Sequence, residues 1–188
     1  YNSDGGNSTA CGNGTRCIAY FISKEKNKEE IIFKTRGGIL KSKILGNNMV
    51  ETNIGTPKFD WKEIPLSKEI DNANLGITII DQYGISLKGG YALSVGNPHL
   101  IFFVDKVENY DLPKIGPVLE KHPLFPEKCN ITFAKIESKK LIKVKVWERG
   151  VGITKACGTA ACATAVAAYK KKLTQNIVDI QFELGSIT

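Results

Sequence analysis

The amino-acid sequence predicts an α+β fold, and three observations carry that reading. The order of elements is helix then strands, repeated along the chain, which argues against a parallel βαβ sheet. The segments read as strands alternate apolar and polar side chains, as a half-buried sheet requires. One local pattern also occurs twice, in "NSTACGNGTRCIAYFI" (Asn7 to Ile22) and "ITKACGTAACATAVAAY" (Ile153 to Tyr169). Each copy passes from small polar residues through Ala-Cys-Gly into an apolar helical run.

Taken in order, Arg16 to Lys24 reads as a short helix, with Ile18, Ala19, Phe21 and Ile22 on one side. "EIIFKT" is a strand, and "ILKSKILGNNMVETNIG" is two strands around the turn "GNN". Pro57 to Asn74, rich in proline and charge, is a connection. "GITIIDQYGISLKGGYALSVGNPHLIFFV" supplies three or four strands separated by glycine-containing turns. "PKIGPVLEKHPLFP" is at most a short helix, ended by its prolines. "NITFAKIES" and "KKLIKVKVWERG" form a hairpin in which Val144 and Val146 alternate with lysine. Thr154 caps the alanine-rich helix that ends near Lys172, and "NIVDIQFEL" is the final strand.

A chain of 188 residues suffices for one ordinary domain or two small ones. Its 42% hydrophobic and 24% charged content is that of a globular protein. No apolar run is long enough to cross a bilayer and no signal-peptide pattern opens the sequence, so a cytoplasmic protein without membrane contact is expected. The net charge of +7 comes from lysines scattered over Lys24, Lys26, Lys28, Lys139, Lys140 and Lys170 to Lys172. Nucleic-acid binding gathers such charge on one face, so a solvated surface compatible with a small anionic substrate is the expectation. Five cysteines without a secretory signal point to a reducing compartment. With no CxxC and only two histidines, neither a structural zinc site nor a CxxC redox site is expected. The chain opens on Tyr1 within a functional-looking loop and stops at Thr188 after a strand, which reads as an excerpt of a longer protein.

The two cysteine turns carry the chemistry. A helix start offers unpaired N–H groups and a positive dipole end, which hold an anion and lower the pKa of a thiol. Glycine directly after the cysteine lets the backbone approach a ligand. A single turn of this kind is most often a buried structural cysteine, but packing does not require Cys-Gly in both places. Cys17 and Cys162 do not share a helix face with their partners at about 100° per residue, and they read, like Cys129, as small core residues. Two thiols facing opposite sides of one carbon can invert it without a cofactor: one removes a proton as thiolate while the other delivers one as thiol. The substrate carboxylate, held by the two helix N-termini, takes up the developing carbanion charge.

At these residues the sequence resembles the diaminopimelate epimerase family, within the cofactor-independent, two-cysteine amino-acid epimerases. The matching motifs are "YNSDGGNSTACGNGTRC", "GNPH" at Gly96 to His99, and "VWERGVGITKACGTAAC", and the resemblance runs along essentially the whole chain. It implies two pseudo-symmetric halves, each a curved, mostly antiparallel sheet wrapped around a central helix, with the active site in the cleft between them. Residues 1–55 would be the remainder of the N-terminal half, 56–172 the C-terminal half with its crossover, and 173–188 a final strand returning toward the N-terminal half. The implied reaction interconverts LL- and meso-diaminopimelate in lysine and cell-wall precursor synthesis, with no cofactor and no metal, in a possible homodimer.

By the same resemblance Cys11 and Cys157 are the acid/base pair. Gly12 and Asn13, with Gly158 and Thr159, are the backbone donors to the carboxylate at the reacting carbon. Asn2, Asn97, Asn130 and Arg149 contact the distal end of the substrate, and Glu148 meets its distal ammonium. His99 and Glu148 tune the thiols. Arg149 can grip a carboxylate in bidentate fashion. On local grounds alone Asn2 and Asn97 are turn formers, Asn130 a strand cap and His99 a histidine at a strand edge. Glu148 and Arg149 would then be an exposed ion pair, and His122 is read as surface. The sequence departs from the family in lacking its N-terminal segment and last strands, and in carrying Ala10 where a bulkier residue is common. Rival readings are a racemase of another amino acid such as proline, for which a distal carboxylate contact has no use, a non-catalytic relative, and a nucleic-acid-binding module.

Overall fold

The computed structural model describes residues 12–35 and 38–188, so the expectations for Asn2, Ala10 and Cys11 lie outside the described residues. The chain divides into two compact units, Tyr1–Thr56 and Pro57–Thr188.

In the first unit, helix α1 (Gly12–Lys26) lies against an antiparallel sheet of β1 (Glu30–Thr35), β2 (Gly38–Gly46) and β3 (Met49–Asn53). The helix begins four residues before the expected start at Arg16, because Gly12, Asn13 and Gly14 carry no apolar side chain to mark its first turn. The β2–β3 loop consists of Asn47 and Asn48, at φ +48° and +61°. Two positive-φ residues in a two-residue loop match the twist of paired strands, and asparagine tolerates that conformation. Ala19 and Ile31 are buried, and Ser42 bonds Thr52 across the strands at 2.8 Å. Cys17 is exposed and not part of a core, since among the described residues of α1 only Gly12 and Ala19 are buried.

The second unit opens with the expected irregular connection and a two-stranded hairpin, β4 (Ile77–Ile80) with β5 (Ser86–Gly89). Its main sheet has seven strands: β6 (Tyr91–Ser94), β7 (Pro98–Phe103), β8 (Asn130–Ser138), β9 (Leu141–Glu148), β10 (Gly152–Thr154), β11 (Asp179–Phe182) and β12 (Gly185–Ile187). The order is β12-β11-β9-β8-β7-β6, with β10 also paired to β9. Most neighbours are antiparallel, but β7 with β8 and β9 with β11 are parallel. Alternation along a strand marks its faces and says nothing about the direction of its neighbour, so these pairings were not foreseen. In the stretch 173–188, β11 runs alongside β9 and β12 folds back on β11, so both strands belong to the main sheet of the second unit.

Each parallel pairing needs a crossover, and each crossover carries a helix. Between β7 and β8 lies α2 (Leu112–Glu120), capped by Asp111, whose carboxylate accepts from the Lys114 amide. Pro113 sits in its first turn, where no amide hydrogen is needed. Leu112 and Leu119 pack with Leu100, Phe102, Ile131 and Phe133 in the main core. Between β9 and β11 lies α3 (Gly158–Lys170), whose buried residues are small: Ala160, Ala161, Ala163, Thr164, Ala167 and Ala168. This helix lies against β6, β7, β8 and β11. Alternation along β7 and β8 sends Leu100, Phe102, Ile131 and Phe133 toward α2, and His99 and Asn130 to the opposite face.

Candidate active site

Three of the predicted residues are brought together by strand register. His99 on β7 pairs with Asn130 on β8, and Ile131 pairs with Trp147 on β9. Asn130 and Glu148 flank that second pair, so His99, Asn130 and Glu148 form a row across three strands on one face. Cys157 meets the end of this row from α3. It is the N-cap residue of the helix, with extended backbone at φ −142° and ψ 113°. The expected cap, Thr154, lies in β10 instead, and its hydroxyl has no partner among the described residues.

A chain of hydrogen bonds joins these side chains. The Cys157 Sγ lies 3.4 Å from the Thr159 Oγ1. The Asn97 amide donates to the same hydroxyl oxygen at 3.4 Å. The Thr159 hydroxyl thus sits between the Asn97 amide and the sulfur. Asn97 Oδ1 in turn accepts from His99 Nε2 at 3.0 Å, which fixes the imidazole as the Nε2–H tautomer. The charge of the Glu148 carboxylate also acts on the Cys157 thiol. Asn97 is half-buried, while Thr159 and Gly158 are buried in the first turn of α3.

Burial governs the protonation of this chain. His99 is 0% exposed, and burial, aided by the charge of Arg149, lowers its pKa from 6.5 to about 3, so it is a neutral hydrogen-bonding group. Cys157 is 3% exposed. Burial and then the Glu148 charge raise its pKa to about 12, although Thr159 and the Ala160 amide pull the other way. The helix N-terminus therefore does not make a thiolate here, contrary to the sequence expectation: two donors are outweighed by loss of water and a neighbouring carboxylate.

Arg149 follows Glu148 in a tight turn closed by the Val151 amide on the Glu148 carbonyl, 3.0 Å. Gly150 takes φ +74° at its third position, the left-handed region that favours glycine. The Arg149 amide donates to Asn130 Oδ1 at 3.0 Å, and its guanidinium to the Glu127 carbonyl at 2.9 Å. Asn130 also donates to the Pro98 carbonyl at 3.0 Å, so both ends of its buried amide are engaged as a strut between β7 and the turn. Gly12 and Asn13 form the first turn of α1, with the Asn13 amide oxygen accepting from Arg16. Cys129 is buried as expected, bonded to the Leu119 carbonyl, whereas Cys162 is only half-buried. Among the described residues no cluster of three or more His, Cys, Asp or Glu is placed to hold a metal ion. No described helix is long and apolar enough to cross a membrane.

Sequence reasoning missed Glu120 and Trp147, which support the turn from behind. The legible signal was a carboxylate in the stripe Leu112, Gly116, Leu119, Glu120, an i, i+4, i+7, i+8 face that should be apolar.

Comparison with known proteins adds a family. The profile described as diaminopimelate epimerase matches residues 1–59 and 91–188. A diaminopimelate epimerase from Pelagibacter ubique is 62% identical over 188 residues, covering 100% of this chain and 69% of that protein. One from Rhodopseudomonas palustris is 43% identical over 188 residues, covering 100% of this chain and 65% of its own. The chain thus spans about two thirds of the length of these curated relatives. Among solved structures, a probable proline racemase from Agrobacterium radiobacter K84 superposes with TM-score 0.65 at 13% identity, covering 95% of this chain and 58% of its own. A hydroxyproline epimerase from Agrobacterium vitis gives TM-score 0.60 at 11% identity, with 95% and 57% covered. At such identities the likeness is one of fold, and the fold is the α+β architecture of these racemases and epimerases.

Proposed function

The chain belongs to the diaminopimelate epimerase family, a family of isomerases, and from that premise we propose that the protein interconverts LL- and meso-diaminopimelate with Cys11 and Cys157 as its two bases. The reaction serves lysine and peptidoglycan precursor synthesis in the cytoplasm, without a cofactor, in a homodimer. One thiolate removes the α-proton, and the electron pair of the broken C–H bond delocalises into the carboxylate at the same carbon. The thiol on the opposite face delivers its own proton to that carbon and becomes the thiolate, so the centre is inverted and the count of protons is unchanged. Gly12, Asn13, Gly158 and Thr159 supply backbone donors to that carboxylate. Asn2, Asn97, Asn130, Glu148 and Arg149 serve the distal end of the substrate.

The observation that carries the reading is the hydrogen-bonded chain from Cys157 through Thr159 and Asn97 to His99, beside the Glu148 charge and at the mouth of a helix that begins with Gly158. A thiol pushed up to about 12 is a proton donor at rest. It yields its proton only to a strong base such as a forming carbanion, and the Thr159 hydroxyl and Ala160 amide are in place to receive the thiolate that results.

The test is solvent-deuterium incorporation at the α-carbon of LL- and meso-diaminopimelate by the full-length protein, with proline as control. Cys11→Ser and Cys157→Ser are each expected to lower epimerisation by roughly a hundred-fold or more, with an unchanged circular dichroism spectrum. Near-normal epimerisation by either variant would refute the two-thiol mechanism. Exchange into proline in place of diaminopimelate would refute the substrate.

A further inference from the structure

The turn that carries Glu148 and Arg149 is held from the face opposite Cys157. The buried Glu120 accepts through Oε2 from the Trp147 indole Nε1 at 2.7 Å, and through Oε1 from the Gly150 amide at 3.2 Å. Those donors lie immediately before and after Glu148 and Arg149. Trp147 has no room to slide away. A Cβ placed at Gly116 would meet its ring at 2.5 Å, and Gly152, on the far side of the turn, takes φ +105° with the edge of the same ring 3.7 Å from where its Cβ would lie. The carboxylate thus reads both ends of a four-residue segment against a fixed ring.

We propose that Glu120 is a positioning residue for the reaction: by accepting from both Trp147 and Gly150 it clamps the turn that presents Glu148 to Cys157 and Arg149 to the distal end of the substrate. The assignment rests on the function proposed above. Both partners are donors, so the group between them must accept twice. A carboxylate does so and an amide cannot, because its NH2 would face an N–H. Burying a carboxylate is costly without compensation, yet here two N–H donors meet its two oxygens. Lys128, half-exposed with its Nζ 3.9 Å from Oε1, is too distant and too wet to be the reason for the charge. Among the described residues the Glu120 carboxylate bonds neither Cys157 nor the Arg149 side chain and acts through the turn.

The experiment uses the full-length protein with Glu120→Gln and Glu120→Ala, and Lys128→Ala as control. Amide hydrogen exchange of the segment 147–151 is measured first, because it needs no activity. Exchange at Gly150 is expected to accelerate roughly tenfold or more in both Glu120 variants, with strand β8 unchanged, and to stay at the wild-type rate in Lys128→Ala. Epimerisation kinetics follow. In Glu120→Gln the KM for diaminopimelate is expected to rise roughly tenfold. That effect should be absent when Arg149→Ala is already in place, since a positioning residue has nothing left to position. Unchanged exchange at Gly150 overturns the clamp. Faster exchange with unaltered kinetics, or a KM effect that simply adds to that of Arg149→Ala, overturns the positioning role. If the wild-type protein does not exchange the α-proton of diaminopimelate, the function reading falls by itself, and exchange at Gly150 still decides whether Glu120 holds the turn.

Discussion

Mild acid is expected to destabilise the second unit chiefly through His99. Burial, with the nearby Arg149 charge, moves its pKa from 6.5 to about 3, and its Nδ1 has no hydrogen-bond partner among the described residues. Between those two values the unfolded chain binds a proton that the folded chain refuses. Stability is therefore full above pH 6.5, falls as pH drops below it, and stops falling near pH 3. At pH 5 the loss is about 1.5 units at 1.36 kcal/mol each, or about 2 kcal/mol, and it saturates near about 5 kcal/mol. The assay is urea unfolding followed by tryptophan emission at several values between pH 7 and pH 5. Trp61 and Trp147, the two tryptophans of this chain, both belong to the second unit that buries His99. Carboxylates contribute their own slope, so the comparison is with His99→Gln, whose amide keeps a donor for Asn97 but does not titrate. Wild type is expected to lose about 2 kcal/mol more than the variant over this range. Parallel curves would mean that His99 takes up a proton within the fold, and the neutral, dry imidazole inferred here would be wrong.

Gly116→Ala is expected to destabilise by about 1–3 kcal/mol despite the better helix propensity of alanine. The new methyl would meet the Trp147 ring at 2.5 Å and that ring is tied to Glu120, so an unchanged or higher Tm would contradict the packing. Glu148→Gln removes the charge that, after burial, does most to raise the Cys157 pKa. The pH dependence of iodoacetamide labelling at Cys157, read by mass spectrometry, should move to lower pH, and an unmoved or higher midpoint would dissociate Glu148 from the thiol.

Much of this architecture was legible because local chemistry decided it. The β2–β3 hairpin announced itself through "GNN", since two asparagines tolerate the paired positive φ values of the loop. The β8–β9 hairpin showed in the alternation of Val144 and Val146 with lysine. The candidate site is proposed from Ala-Cys-Gly and the residues just before it, and the structure sets Glu148, Cys157 and Thr159 side by side. What stayed hidden depends on partners distant in sequence. Nothing in "NIVDIQFEL" states that it will run parallel to β9, and nothing local in "ITKACG" states that Cys157 and not Thr154 will cap α3. The protonation of Cys157 is of the same kind. Its helix start is visible in the sequence, but the burial and the carboxylate that overrule that start come from α3 folding onto a row of strand residues.

That reversal bears on how the proposed reaction is timed. Were Cys157 held as a thiolate by its helix, it would have no proton to deliver and would repel the substrate carboxylate arriving at the same amides. Kept neutral by burial and Glu148, it leaves those amides free for the carboxylate and retains the proton needed on its face. Once the proton has left, the same Glu148 charge opposes the new thiolate, so the pair returns to the starting arrangement by taking a proton back. The neutral His99 contributes no charge to this balance and bonds Asn97, which in turn bonds the Thr159 hydroxyl beside the sulfur. A two-base inversion needs one thiol and one thiolate, exchanged with the direction of reaction, and burial with the Glu148 charge favours the thiol form of Cys157.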